Sequence, residues 1–180
     1  MLLSSERSVL VVVDVQERLM PAVHEWERVV NNAGVLLRTA TQMGVPVVAS
    51  EQYSKGLGPT VTAVRDLLPP GSIVEKIHFS AAYEPAFMDR LDSHGRDQIV
   101  LCGSEAHVCV MQTALGLRAL GRTVFIVADA TSSRNPANAE AGIARMRVNG
   151  VEVVTTEMVV FEWLHRADVP VFKSVLAHIK

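Results

Sequence analysis

The chain has 180 residues, of which 49% are hydrophobic and 20% are charged, and these proportions exclude disordered, collagen-like and low-complexity chains. The formal net charge of −2 provides no basic footprint, so we expect neither nucleic acid nor a membrane surface as a partner. We expect one domain over residues 1–180, which is long enough to bury a substantial core.

The first apolar run, Val9–Val13, is only five residues long and follows two charged residues. It is too short for the apolar region of a signal peptide, and no run reaches the ~18 residues of a membrane span. We therefore expect a cytoplasmic protein.

Six short runs rich in Val and Ile divide the chain, and each is nearly continuous rather than alternating with polar residues. They are Val9–Val13, Val45–Ala49, Ile73–Val74, Ile99–Leu101, Val124–Ala128 and Val151–Val154. Continuous apolar runs are typical of parallel strands that helices cover on both faces.

Segments with apolar residues three and four positions apart lie between several of these runs. Three of them end near a glycine: 29–43 before Gly44, 108–119 before Gly121, and 143–147 before Gly150. This spacing predicts helices. The alternation of strand and helix predicts an α/β fold with a parallel sheet and right-handed crossovers.

Two segments, 50–72 and 129–137, are rich in Gly, Pro, Ser and Asn. We predict that both are loops at the carboxyl ends of strands, where open α/β sheets bind ligands. The stretch from about Glu157 to Lys180 predicts two helical segments that Pro170 interrupts. They pack either on their own domain or in a subunit interface.

Two charged residues stand at the ends of predicted strands. Asp14 follows the first strand, where it is either a carboxylate in the ligand crevice or a turn former. Lys76 closes the third strand, where it is either part of a site or a surface lysine whose aliphatic stem is buried.

Cys109 falls in or near the first turn of the helix that follows the fourth strand. The free amides and positive dipole of a helix start favour thiolate over thiol, so Cys109 is a candidate nucleophile. The alternative is a buried cysteine that packs as a small hydrophobe. We assign that second role to Cys102, which lies within the strand run.

Three motifs in this order resemble those of the isochorismatase-like cysteine hydrolases. They are Val13-Asp14-Val15-Gln16, then Lys76-Ile77-His78-Phe79-Ser80-Ala81, then Gly103-Ser104-Glu105-Ala106-His107-Val108-Cys109-Val110. The resemblance spans about residues 8–179. The segments 51–58 and 170–173 are most similar to the small isochorismatase-domain hydrolases of unassigned substrate.

The resemblance implies a three-layer α/β/α, Rossmann-like fold with a six-stranded parallel sheet in the order 3-2-1-4-5-6. It also implies a catalytic triad: Cys109 as nucleophile, Asp14 as proton acceptor and Lys76 as the stabilising cation. A cis peptide between Ser104 and Glu105 and an oxyanion hole made by the amides of Glu105 and Cys109 belong to the same expectation, as does a homo-oligomer.

Nicotinamidases of this superfamily bind a metal through an Asp-x-His motif after the second strand. The corresponding residues here are Ser50-Glu51-Gln52-Tyr53, so we predict no metal and no cofactor. Isochorismatases proper cleave a vinyl ether without a cysteine nucleophile, and Cys109 argues against that reaction. The predicted substrate is a small molecule: an amide, a carbamoyl compound or a related carbonyl compound.

Three further residues are candidates for substrate binding. Gln16, two residues after Asp14, contacts substrate or holds its own loop. Phe79 and Tyr83 form a wall of the pocket or pack in the core.

Four polar residues in or near the motifs are predicted to support the site without taking part in the chemistry. We expect His78 and His107 to be structural. Asp129 and Arg134 orient the site loops or pair across a subunit boundary.

Two other functions compete with hydrolysis. One is a non-catalytic scaffold that keeps the fold and acts through assembly. The other is a thiol-redox sensor in which Cys102 pairs with Cys109, a geometry that a strand position for Cys102 disfavours.

Overall fold

A computed structural model describes residues 1–179, and six strands within it form a single sheet. The strands are β1 (Ser8–Val13), β2 (Val47–Gln52), β3 (Ile73–Lys76), β4 (Gln98–Ser104), β5 (Thr123–Ser132) and β6 (Glu152–Val154). All neighbouring strands are parallel and their order is 3-2-1-4-5-6, which confirms the predicted topology. This order places β1 and β4 side by side at the centre of the sheet.

Helices connect the strands. They are α1 (Trp26–Met43), α2 (Ser54–Leu57), α3 (Thr62–Arg65), α4 (Pro85–Asp92), α5 (Met111–Ala119), α6 (Pro136–Val148), α7 (Thr156–Leu164) and α8 (Phe172–Leu176). The three helices predicted from glycine-terminated segments are confirmed as α1, α5 and α6. None of the helices between residues 1 and 179 is long and apolar enough to cross a membrane.

Both faces of the sheet are covered, which is the physical reason for the continuous apolar runs. Val9 and Val11 of β1 belong to the core under α4, α5 and α6, whereas Leu10 and Val12 belong to the core under α1 and α7. Every residue of β1 and of β4 is buried. The three-layer α/β/α arrangement is confirmed.

The two C-terminal helices pack on their own chain. The Trp163 indole of α7 donates a 2.9 Å hydrogen bond to the Ser8 hydroxyl. Val175 of α8 is buried against Val160 and Leu164 of α7. Lys180, the last residue of the predicted helical stretch, lies outside the described residues.

The two predicted loops are partly wrong, because strand pairing continues into both of them. Residues 50–52 belong to β2, where Ser50 pairs with Val74 and Gln52 with Lys76. Residues 129–132 belong to β5, and the short helices α2 and α3 occupy much of the remaining first segment. Ladder hydrogen bonds keep these polar residues extended despite their low intrinsic preference for strands.

Gly103 brings the ends of β1 and β4 together. It has a φ of +122°, and a Cβ at this residue would lie 2.1 Å from the Val13 carbonyl oxygen. A side chain of any size would therefore push the two strand ends apart. Asp14 and the segment after Ser104 lie next to each other because residue 103 is glycine.

We predict that Gly103→Ala lowers the free energy of unfolding by about 3 kcal/mol or more, because the new methyl group meets backbone at a strained φ. Gly121→Ala is the matched control, since Gly121 also has a positive φ of +81° but has nothing within 4 Å of the added Cβ. It should cost about 1 kcal/mol. Urea unfolding of both variants provides the comparison, and equal losses would contradict the close-approach argument.

Candidate active site

Asp14 occupies the first position after β1 and turns its side chain into the protein. Its backbone adopts a positive φ of 50°, and its side chain has 0% exposure. The Ser50 hydroxyl donates a 2.7 Å hydrogen bond to Oδ1. Oδ2 lies 2.8 Å from Lys76 Nζ, and residues 1–179 provide it with no other hydrogen-bond partner.

Lys76 ends β3 and is fully buried, so it is not a surface lysine. Besides Asp14, its ammonium donates to Gln52 Oε1 at 2.5 Å and to the carbonyls of His78 and Phe79 at 3.2 and 3.1 Å. These acceptors outnumber the three N–H groups of an ammonium. The cation is therefore held in place and can act through its charge.

Cys109 lies in a five-residue π-helical turn, Ala106–Val110, that leads into α5. Its thiol lies near enough to Asp14 and Lys76 for the charges of both to shift its pKa, and the residue is 6% exposed. The structure thus brings together the three residues singled out at separate strand ends in the sequence. Their position at the carboxyl edge of the sheet is where parallel α/β folds bind ligands.

Close packing holds the π-helical turn against its neighbours. The Ser104 hydroxyl, at the end of β4, donates to the Asp14 carbonyl at 2.9 Å. Gly142 of α6 faces the turn, and a Cβ there would lie 2.9 Å from the Cα of His107. The thiol is therefore positioned from both β1 and α6.

Other influences at Cys109 oppose the free amides and dipole of the helix start. Burial, together with the negative charge of Asp14, raises the pKa of the Cys109 thiol to about 12, and Lys76 only partly opposes this. Burial also raises the pKa of Asp14. Two acids therefore lie beside one cation, and this buried space favours a single anion over two.

The residues around the π-helical turn contact one another. The Ser104–Glu105 peptide is cis. The Glu105 carboxylate accepts hydrogen bonds from the backbone N–H and the Nε–H of Arg134, at 3.1 and 2.7 Å. His107 Nδ1 lies 2.9 Å from the Ser133 hydroxyl. Arg134 thus orients the segment before Cys109 from within the same chain.

His78 and Asp129 also make structural contacts. His78 Nδ1 lies 2.8 Å from the Glu84 carboxylate at the surface. Asp129 Oδ1 accepts hydrogen bonds from the amide and hydroxyl of Thr156, at 2.7 and 2.9 Å, and so caps the start of α7. Neither contact reaches the buried triad.

The side-chain amide of Gln16 forms hydrogen bonds with backbone groups of the same chain. Its Nε2 donates to the carbonyls of Gln52 and Gly58, at 3.0 and 2.7 Å. Its Oε1 accepts the Gln52 amide at 2.8 Å. No amide hydrogen remains for a substrate, so these contacts support the loop-holding alternative.

Phe79 and Tyr83 are not core residues, because they are 55% and 68% exposed. Phe79 contributes its carbonyl to Lys76 and leaves its ring free. Tyr83 lines a surface groove of about 370 Å³ with Gln112 and Arg145. Contact of these two rings with substrate stays a prediction.

Ser50 and Gln52 are the site residues that sequence reasoning missed. Each contacts one member of the buried ion pair: Ser50 contacts Asp14, and Gln52 contacts Lys76. Their spacing of two places both side chains on the same face of a strand. That signal was hidden because the segment was predicted to be a loop.

Cys102 and Cys109 are both free and lie on opposite faces of the sheet. Cys102 packs in the core under α1, whereas Cys109 packs in the core under α5. A direct disulfide between them would have to pass through the sheet, so this geometry excludes the redox pair. Within residues 1–179, no three His, Cys, Asp or Glu side chains are grouped as a metal site.

Comparison with known proteins gives matches over nearly the whole chain. An isochorismatase domain model matches residues 8–158. Isochorismatase domain-containing protein 2 from Danio rerio is 37% identical over 180 residues, covering 98% of this chain and 90% of the relative.

Two solved structures show the same fold. MAR1 ribonuclease from Caenorhabditis elegans superposes with a TM-score of 0.94 at 30% identity, over 99% of this chain and 92% of that one. The YcaC gene product of Escherichia coli, an octameric hydrolase of unknown specificity, has a TM-score of 0.92 at 22% identity, over 99% and 90% of the two chains.

We predict that Asp14→Asn speeds alkylation of Cys109 by iodoacetamide at pH 8, by about tenfold or more, because removing the Asp14 charge lowers the thiol pKa. Lys76→Met should slow the reaction, because it removes the opposing positive charge. Mass spectrometry of the two cysteine peptides measures both rates, with buried Cys102 as the internal reference. Slower labelling in Asp14→Asn would contradict this electrostatic account.

Proposed function

The chain belongs to the isochorismatase-like hydrolase family, as its isochorismatase domain shows, and from this premise we propose that it is a metal-independent cysteine hydrolase. Its substrate is a small amide, a carbamoyl compound or a related carbonyl compound. One observation carries the proposal: Asp14, Lys76 and Cys109 come from three separate strand ends and share a single buried site.

In the first half-reaction, the Cys109 sulfur attacks the carbonyl carbon while Asp14 accepts the thiol proton. The carbonyl π electrons move to oxygen, and the amides of Glu105 and Cys109 stabilise that oxyanion. The C–N bond then breaks as Asp14 returns its proton to the leaving nitrogen. The products of this half are a free amine and a thioester on Cys109.

Water completes the reaction. Asp14, again a carboxylate, takes a proton from a water molecule that attacks the thioester carbon. The C–S bond breaks when the tetrahedral intermediate collapses, and the Cys109 sulfur regains the proton from Asp14. Atoms and charge balance, since one amide and one water yield one acid and one amine.

Lys76 lowers the free energy that is needed to transfer the Cys109 proton to Asp14. Before the transfer, the site holds a carboxylate, an ammonium and a neutral thiol; afterwards it holds a carboxylic acid, an ammonium and a thiolate. The net charge of the buried site is the same in both states. The ammonium therefore neutralises whichever anion is present, which matters most where water is excluded.

A scaffold without catalysis has no need for this arrangement. Burying an ion pair costs desolvation that apolar residues of similar size avoid. The chain nevertheless places three further acceptors around the Lys76 ammonium: Oε1 of Gln52 and the backbone carbonyls of His78 and Phe79. This stabilisation of a buried cation supports the hydrolase over the scaffold.

We also propose that the chain forms a homo-oligomer. The octameric YcaC protein, which shares this fold, supports the proposal. Exposed apolar side chains in the segment after Lys76, including those of Ile77 and Phe79, provide surface that self-association would cover.

We predict that Cys109→Ser, Asp14→Asn and Lys76→Met each reduce turnover of the best substrate from a panel of small amides and carbamoyl compounds by at least about 1,000-fold. Cys102→Ala, which removes the other free thiol, is the matched control and should stay near wild type. Intact-mass spectrometry of rapidly quenched reactions should show an acyl adduct on Cys109. Full turnover by Cys109→Ser, or an adduct elsewhere, would overturn the proposed mechanism.

We predict that overnight treatment with a strong chelator leaves this turnover unchanged, because the thiol supplies the nucleophile and Lys76 supplies the positive charge. The rate before and after dialysis provides the measurement. A loss of activity that a divalent metal restores would contradict metal independence.

A further inference from the structure

Two carboxamides, the buried one of Gln16 and the half-buried one of Gln52, connect the segments around Lys76. Gln16 holds Gln52 by its backbone, with the side-chain amide of Gln16 bonded to both the N–H and the C=O of Gln52. The Gln52 side chain then reaches across to β3. Its Oε1 accepts the Lys76 ammonium at 2.5 Å, and its Nε2 donates to the Ile77 carbonyl at 2.7 Å.

The chemistry of the partners determines the orientation of both amides. Lysine only donates, so the atom of Gln52 that faces Lys76 must be the oxygen, and the atom that faces the Ile77 carbonyl must be the nitrogen. The same reasoning applies to Gln16, whose Nε2 faces two carbonyls and whose Oε1 faces an N–H. Neither amide can rotate without placing like partners against each other.

We propose that Gln16 and Gln52 form a positioning relay for the proposed triad, in which Gln52 holds the Lys76 ammonium between Asp14 and Cys109 and Gln16 holds Gln52. Gln16 does not touch Lys76, so it acts only through Gln52. The relay rests on the proposed function, because it matters to catalysis only if Lys76 stabilises the Cys109 thiolate.

A neutral amide is required at residue 52 for an electrostatic reason. A carboxylate there would accept from Lys76 equally well, but it would compete with Asp14 for the cation and add a second anion near Cys109. The thiolate would then form less readily. Glutamine provides the acceptor without the charge.

Several charged or titratable groups surround Gln52 and must be considered together. Asp14 reaches the same ammonium from β1, Lys76 itself comes from β3, and Cys109 comes from the π-helical turn. Glu84 holds the backbone of residues 77 and 78 through two amides, and its carboxylate also contacts the His78 ring. Glu84 and His78 are present in every variant below, so their contribution is common to all of them.

The test measures the rate of Cys109 alkylation by iodoacetamide between pH 7 and pH 10, which requires no knowledge of the substrate. The central comparison is Gln52→Glu with Gln52→Met, because the two side chains are of similar length and differ in charge. Gln16→Met tests the relay from the other end. Gln42→Met is the matched control, since Gln42 is an exposed glutamine of α1 that bonds His178 and Ser174, far along the chain from the motifs.

At pH 8.5 we expect Gln52→Glu to be alkylated about ten times more slowly than Gln52→Met, which corresponds to an upward shift of about one pH unit in the profile. Gln52→Met and Gln16→Met should both be slower than wild type, and Gln42→Met should match wild type. Equal profiles for the two Gln52 variants would overturn the proposal. So would a wild-type rate in Gln16→Met accompanied only by a lower melting temperature, because that result indicates a purely structural role.

If Gln52→Glu does not fold, the rates of Gln52→Met and Gln16→Met decide the proposal by the same criteria. Lys76→Met separates this inference from the proposed function. A wild-type alkylation rate in Lys76→Met would overturn the triad itself. A changed rate in Lys76→Met with unchanged rates in the Gln16 and Gln52 variants would overturn the relay alone.

Discussion

The buried ion pair between Asp14 and Lys76 is the interaction on which the rest of the site depends. Both side chains have 0% exposure, and removing two charges from water costs on the order of several kcal/mol per ion. The protein offsets that cost with the Ser50 hydroxyl, the Gln52 amide and two backbone carbonyls. These partners come from β2 and from the segment after β3, and Asp14 itself follows β1, so the pair forms only when these three strands are assembled.

Electrical neutrality explains how such a site can be reactive. Asp14 and Cys109 compete for one proton beside one fixed cation, and burial raises the pKa of both acids. A thiol with a pKa near 12 is unreactive on its own. In the proposed mechanism, proton transfer from Cys109 to Asp14 creates the nucleophile without changing the net charge of the site.

Particular residues show how far sequence reasoning reached. The valine run of β1 predicted a central strand because two covered faces require apolar side chains at every position. The ordered motifs predicted that Asp14, Lys76 and Cys109 would meet. The roles of Ser50 and Gln52 were not predicted, because their polar segment is typical of a loop and only the pairing with β3 shows that it is a strand. The sequence also did not show that burial opposes the helix dipole at Cys109, since the dipole is local whereas desolvation depends on the packed structure.

The sequence by itself determined the alternation of strand and helix, the coverage of both sheet faces and the identity of three reactive groups at strand ends, because each depends on local periodicity or on a residue type. Only the tertiary structure decided which neutral groups contact Lys76 and that the Gln16 side chain bonds to Gln52 and Gly58. It also decided that Cys102 lies across the sheet from Cys109 and that Asp14 lies beside the Cys109 thiol. Those properties arise from distances and burial among residues far apart in the chain, and a linear pattern does not contain them.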